Sequence, residues 1–164
     1  MQGVRIFSIL RLMSPPYGSL RAGITALKQE RYLEAINLLE SFCYCCSIHE
    51  SSPRQKERNG SRINPEECAL ARVALVMAYQ GSGDLERSTA LCQELLEQGE
   101  PSSTTPLWAQ EWAAQALPTL RQASEQSMPP EEVMARLPVP RQLEDCQTLC
   151  SSRDPAPHLL KSAN

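Results

Sequence analysis

The 164-residue chain carries a net charge of −3 and a sequence pI near 5.5, which argues against the basic surface that a nucleic-acid binder needs. Hydrophobic residues make up 41% and aromatics only 5%, so a core can form, and its Leu- and Ala-rich filling favours helices over strands. Seven cysteines, an odd number with no secretory leader ahead of them, point to thiols in a reducing, cytoplasmic compartment rather than to a disulfide framework.

The first 17 residues are read apart from the rest. Met1 to Leu12 is apolar with Arg5 and Arg11, and Ser14-Pro15-Pro16 follows. The run is too short to span a membrane. It is either a weak interfacial helix, the one place where membrane contact is expected, or an extension upstream of a start at Met13.

Apolar residues then recur at spacings of three and four, the mark of a helix with one buried face. Ser19 to Glu30 presents Leu20, Ile24 and Leu27. Leu33 to Cys46 presents Leu38, Leu39, Phe42, Cys43 and Cys46. Between about residues 47 and 64 lies a polar insert with Pro53 and Gly60, expected to be mobile. Its basic stretch from Arg54 to Arg62 reads first as a solvated loop.

Asn64-Pro65-Glu66-Glu67 is written as a helix start. It supplies a capping side chain, a proline where no N–H is needed, and two carboxylates at the positive end of the dipole. The helix from Pro65 to Gln80 buries Leu70, Val73, Ala74 and Met77. Gly83-Asp84 ends it and opens the next, Asp84 to Gln98, with Leu85, Ser88, Cys92, Leu95 and Leu96. Thr105-Pro106 starts a fifth helix carrying Trp108, Trp112, Ala116 and Leu120, which Pro118 should kink or split. Pro129-Pro130-Glu131-Glu132 opens a short helix to about Leu137. Beyond Pro138 the composition predicts a mostly loose tail, with a turn of helix around Leu143 to Leu149.

Two stretches repeat. Gly23 to Leu39 and Val76 to Cys92 each read as helix, polar turn, and helix with a small residue one turn in. This resembles the tetratricopeptide repeat, a helical hairpin of about 34 residues. It is also similar to short bacterial repeat proteins, cyanobacterial ones among them. Gly23 and Ala35 match the family's small packing positions in the first unit. Leu75, Tyr79, Gly83-Asp84 and Ser88 match signature positions in the second. Val76 and Ser88 stand where the family usually has smaller residues, and its early Trp is absent. Ala35 and Ser88 are 53 residues apart, about 19 more than one period, so the excess falls in the insert. A third unit reads as one helix with two Trp and no clear turn after it.

The implied fold is all-α: a short right-handed superhelix of antiparallel pairs over residues 18–123, then a short helix and loose tail over 124–164. The implied function is a non-catalytic scaffold or adaptor that binds a peptide or helix of another protein. The resemblance places Leu20, Ile24, Leu27, Val73 and Met77 near the concave face, with Lys28 and Gln80 at its edge. Two and a half units are few for a continuous core, so terminal segments, self-association or a partner must complete it.

Chemistry-bearing residues are sparse. No cofactor is implied, and no phosphate loop, nucleophile elbow or paired-histidine metal motif occurs. Cys43-Tyr44-Cys45-Cys46 holds a Cys-x-x-Cys spacing, with His49 three residues on and Cys68 across the insert. Together they make the alternative reading, a small Cys-based zinc or redox protein. Against it, Cys43 and Cys46 share a helical face with Leu39 and Phe42, where Cys packs as a small apolar residue. A redox pair also prefers the start of a helix, not its end. Trp108 and Trp112 read as a core stripe before a ligand-stacking one.

Overall fold

A computed structural model describes residues 16–51, 64–98 and 105–145. The protein is all-α, with no strand among the described residues. The helices are α1 Pro16–Lys28, α2 Tyr32–Ser51, α3 Pro65–Gly81, α4 Leu85–Glu97, α5 Leu107–Gln126 and α6 Pro130–Arg136, followed by a helical turn at 141–145. The expectations for the N-terminal segment before residue 16, and for most of the insert, lie outside the described residues. The end of the insert nearest α2 is helical, because α2 runs on to Ser51.

The helix boundaries follow the local chemistry. The Asn64 side chain accepts from the Glu66 N–H at 3.0 Å, and Pro65 begins α3. Asp84 accepts from the Arg87 N–H at 3.2 Å at the start of α4. The helix α5 has no side-chain cap and begins behind Pro106. Pro118 neither splits it nor ends it. Pro118 is itself exposed, while Ala116, Leu117 and Leu120 around it are buried. Packing on both sides of the missing hydrogen bond holds the helix together.

Three helix-to-helix turns share one geometry. Arg31 N–H donates to Ala26 O at 2.9 Å, Asp84 N–H to Tyr79 O at 2.9 Å, and Met128 N–H to Ala123 O at 3.1 Å. Each bond reaches back five residues, and the residue just before each donor is left-handed: Glu30 at φ 59, Gly83 at φ 87, Ser127 at φ 51. This is the Schellman closure, in which a left-handed residue lets the chain satisfy the last carbonyls of a helix. The third unit, expected to lack a clear turn, has one. It was hidden because Ser127 takes the place where Gly signals the bend in the second unit.

Consecutive helices pack on one another, and α3 is central, touching α1, α2, α4, α5 and α6. From Cys68 to Gln80 every α3 residue but Arg72 is buried. A helix apolar all round is one surrounded on all sides. The hairpins repeat in detail at a spacing of 53 residues. Leu20, Ile24, Leu39 and Phe42 are buried in the first, and Val73, Met77, Cys92 and Leu95 in the second. Gly23 lies where a Cβ would stand 2.7 Å from Leu39 Cγ. Gly81 lies where a Cβ would meet the Tyr32 ring. At Gly23 the neighbour is the fully buried Leu39, so glycine keeps the helices close, whereas a side chain at Gly81 would have to displace the half-buried Tyr32 ring.

Candidate functional site

The side chains expected to line an open face are core residues. Leu20, Ile24, Leu27, Val73, Met77 and Gln80 are all buried, and only Lys28, the last residue of α1, is exposed. For Leu20, Ile24, Leu27, Val73, Met77 and Gln80 the placement on an accessible surface is therefore corrected. Helical period shows which side of a helix is apolar, but not how many neighbours will cover it. Gln80 occupies the counterpart of Leu27. Its Oε1 is buried and has no hydrogen-bond partner among the described residues, a polar atom at a position the repeat fills with carbon.

Part of what surrounds α3 comes from the far end of the chain. The helix α6 packs on both α3 and α5. Val133 on α6 is fully buried, and Leu137 and Leu143 join the same core. Leu137 is extended and ends α6, and the Trp112 indole N–H donates to Pro138 O at 2.7 Å. Pro140 is also buried. Residues 130–143 thus form a short helix, a Pro-containing irregular stretch and the start of a helical turn, packed against α3 and α5. The tail expected to be loose from Pro138 is packed as far as Leu143, where Pro140 and Leu143 are buried and a turn of helix runs over 141–145. Of the two Trp, Trp112 is core, as expected. Trp108 is only partly buried and donates to Glu66 Oε2 at 2.6 Å, joining α5 to the start of α3.

A polar cluster marks the outer side of α2, α3 and α4. The Tyr79 hydroxyl donates to Glu40 Oε1 at 2.5 Å. The Arg87 guanidinium lies 5.8 Å from the Tyr79 ring centroid and 3.8 Å from Glu40 Oε1. Burial, then the hydrogen bond with Glu40, pushes the Tyr79 hydroxyl up to about 12. A separate shallow cleft between α4 and α5 is lined by Asp84, Glu86, Thr89, Gln93, Arg121 and Glu125. It holds charges of both signs, a pattern that selects no ligand class.

The thiols gather at the α2–α3 contact. Cys46 and Cys68 are both buried, and their Sγ atoms stand 2.7 Å apart. Cys43 is half-buried one turn earlier on α2, and burial pushes its thiol up to about 12. The hydrogen bond with Cys68, then burial, raises the Cys46 thiol strongly. The structure therefore brings together Cys46 and Cys68 from the expected ligand set. The side chain of His49 lies outside the described residues. Among those residues no set of three or more His, Cys, Asp or Glu has an arrangement suited to a metal ion. No helix among them is long and apolar enough to cross a membrane.

No protein-family model matches the sequence, and no curated protein or solved structure matches it either.

Proposed function

We propose that the chain is a non-catalytic interaction scaffold of tetratricopeptide type, whose inner face receives a short helix followed by a Pro-containing irregular stretch of a partner protein. The two hairpins α1–α2 and α3–α4, closed by the same turn, and the small residues Gly23, Ala35 and Ser88 between their paired helices support the tetratricopeptide reading. By that resemblance α1, α3 and α5 are the inner helices.

One observation carries the functional reading. Residues 130–143 already occupy α3 and α5 as such a ligand would, with Val133, Leu137 and Leu143 as apolar anchors and Trp112 holding a backbone carbonyl. Amphipathic helices in grooves bind through anchors of this kind. An intramolecular occupant enjoys a high effective concentration, so a partner binds by displacing it.

The test uses the full-length chain carrying Leu137→Asp and Leu143→Asp, with a synthetic peptide of the natural sequence 128–145 added in trans. The peptide is expected to bind the variant and restore the buried emission of Trp112. It should bind the natural chain at least tenfold more weakly. A variant that loses its helices and is not rescued by the peptide would make the segment a permanent part of the core, and the reading would fail.

A further inference from the structure

The dithiol at the α2–α3 contact has no part in that scaffold reading. We propose that Cys46 and Cys68 are a modification site, at which a peroxide oxidises the two thiols to a disulfide that ties α2 to α3.

The geometry selects this pair. Cys46 lies in the later turns of α2 and Cys68 in the second turn of α3, on helices that pack directly. Their Sγ atoms, at 2.7 Å, need move less than 1 Å to reach the bond length of about 2.05 Å. Cys43 shares the helix of Cys46 and sits one turn away from it. That places both thiols of the Cys-x-x-Cys spacing on one rigid element, whereas Cys46 and Cys68 face each other from two. Cys45 is turned about 100° from Cys46 on the same helix and is only partly buried.

The chemistry balances without a further reactant. The bonded pair holds its proton strongly, so the step runs through the minor form in which one thiol has lost its proton to solvent, favoured at alkaline pH. That thiolate attacks a peroxide oxygen, the O–O bond breaks, and a sulfenic acid and hydroxide form. The second sulfur attacks the sulfenic sulfur. The S–S bond forms, the S–O bond breaks, and the departing hydroxide takes the second thiol's proton as water. Two thiols are oxidised and one hydrogen peroxide is reduced to two waters. The reagent must be small, because Cys46 is 1% exposed and Cys68 9%. Burial also protects the finished bond from larger reductants.

The bond would close the chain from residue 46 to 68, across the long connection between the first two hairpins. Closing a loop of this length removes freedom from the unfolded chain. The midpoint of thermal unfolding should rise by roughly 10 °C.

The experiment treats the full-length chain with hydrogen peroxide, blocks remaining thiols, and digests it with trypsin without reduction. The expected product joins the peptide Ile63–Arg72 to Tyr32–Arg54 through Cys46, with the loss of two hydrogen atoms. Dithiothreitol should reverse both the link and the rise in melting midpoint. Cys43→Ser should keep both, while Cys46→Ser and Cys68→Ser should each lose them. The natural chain decides the matter even if a variant folds poorly. A link through Cys43, or oxidation of Cys43 and Cys45 with Cys46 and Cys68 left as thiols, would overturn the proposal.

Discussion

Ser88 donates its hydroxyl to the carbonyl of Val76 at 3.0 Å, across the closest approach of α3 and α4. Ser88 is fully buried, so its oxygen has no water to turn to. The two residues are the counterparts of Ala35 and Gly23 in the first hairpin. The larger Val76 is thus accommodated beside a residue only one oxygen larger than Ala, and that oxygen is satisfied. Ser88→Ala should cost about 1 kcal/mol, the net worth of a neutral hydrogen bond. Ser88→Leu should cost about 1–3 kcal/mol by overpacking. Urea unfolding of both variants checks the order, and a Leu variant as stable as the Ala variant would contradict the close approach.

The first hairpin makes the sharper case. In an open helix Gly23→Ala would gain about 1 kcal/mol. Here the new Cβ would stand 2.7 Å from Leu39 Cγ and 2.8 Å from Leu39 Cδ2, and Leu39 is fully buried. The sign should reverse, with a loss of about 1–3 kcal/mol. Ala35→Leu should behave alike, since Ala35 is also fully buried. In a double-mutant cycle with Leu39→Ala, much of the Gly23→Ala loss should disappear. Strict additivity would show that the two sites do not touch.

The turns predict stabilising changes. Glu30 and Ser127 are left-handed at φ 59 and φ 51, a conformation that costs a non-glycine residue about 1 kcal/mol. Glu30→Gly and Ser127→Gly should each gain about 0.5–1 kcal/mol. Glu30→Val should lose more than that, because a β-branched residue fits the region worst. A thermal melt of the three variants decides this, and a lower midpoint for both glycine variants would refute it.

Alkaline pH should loosen the fold in a defined window. Burial pushes the Cys92 thiol up to about 11. Burial and the bond to Glu40 push the Tyr79 hydroxyl up to about 12. Both groups hold their protons more tightly folded than unfolded, so folding is favoured while they stay protonated. That contribution is complete below the unfolded values, about 8.5 for Cys and 10 for Tyr. It is lost as pH rises through the folded ones. Urea midpoints should be level to about pH 8.5 and then fall. Cys43, raised by burial, and Cys46, raised by its bond with Cys68 and by burial, add to the fall above about pH 8.5. Tyr79→Phe should therefore lessen it between about pH 10 and 12 and Cys92→Ala should lessen its earlier part, neither abolishing it. A decline that Tyr79→Phe leaves untouched between pH 10 and 12 would exclude the Tyr79 assignment.

How far these features were legible in the sequence depends on range. The bounds of α3 and α4 were readable because Asn64-Pro65 and Gly83-Asp84 act on their own neighbours. The 53-residue echo of Ala35 in Ser88 was readable because packing repeats when hairpins repeat. Cys68 could be set beside Cys46 as a candidate partner across the insert, but the pairing itself needed the helices in place. The centrality of α3 was not readable, since Val73 and Met77 look the same whether they face one neighbour or several. Nor was the seat of residues 130–143. Its anchors at 133, 137 and 143 follow no single period, because an irregular stretch at 137–140 interrupts the helical path between them.

The identical turns also fix where the chain can change in length. Each allows three residues or so between paired helices, while the connections from Ser51 to Pro65 and from Glu97 to Leu107 are longer and unequal. One residue added within a turn would break its five-residue closing bond and the tight approach of the paired helices that seats Cys92 and Leu95, or Leu39 and Phe42, in the core. The same residue added between hairpins breaks nothing already paired. Sequence drift in length is thereby channelled into the links between hairpins, and a reporter peptide spliced into either link should leave the hairpins in register.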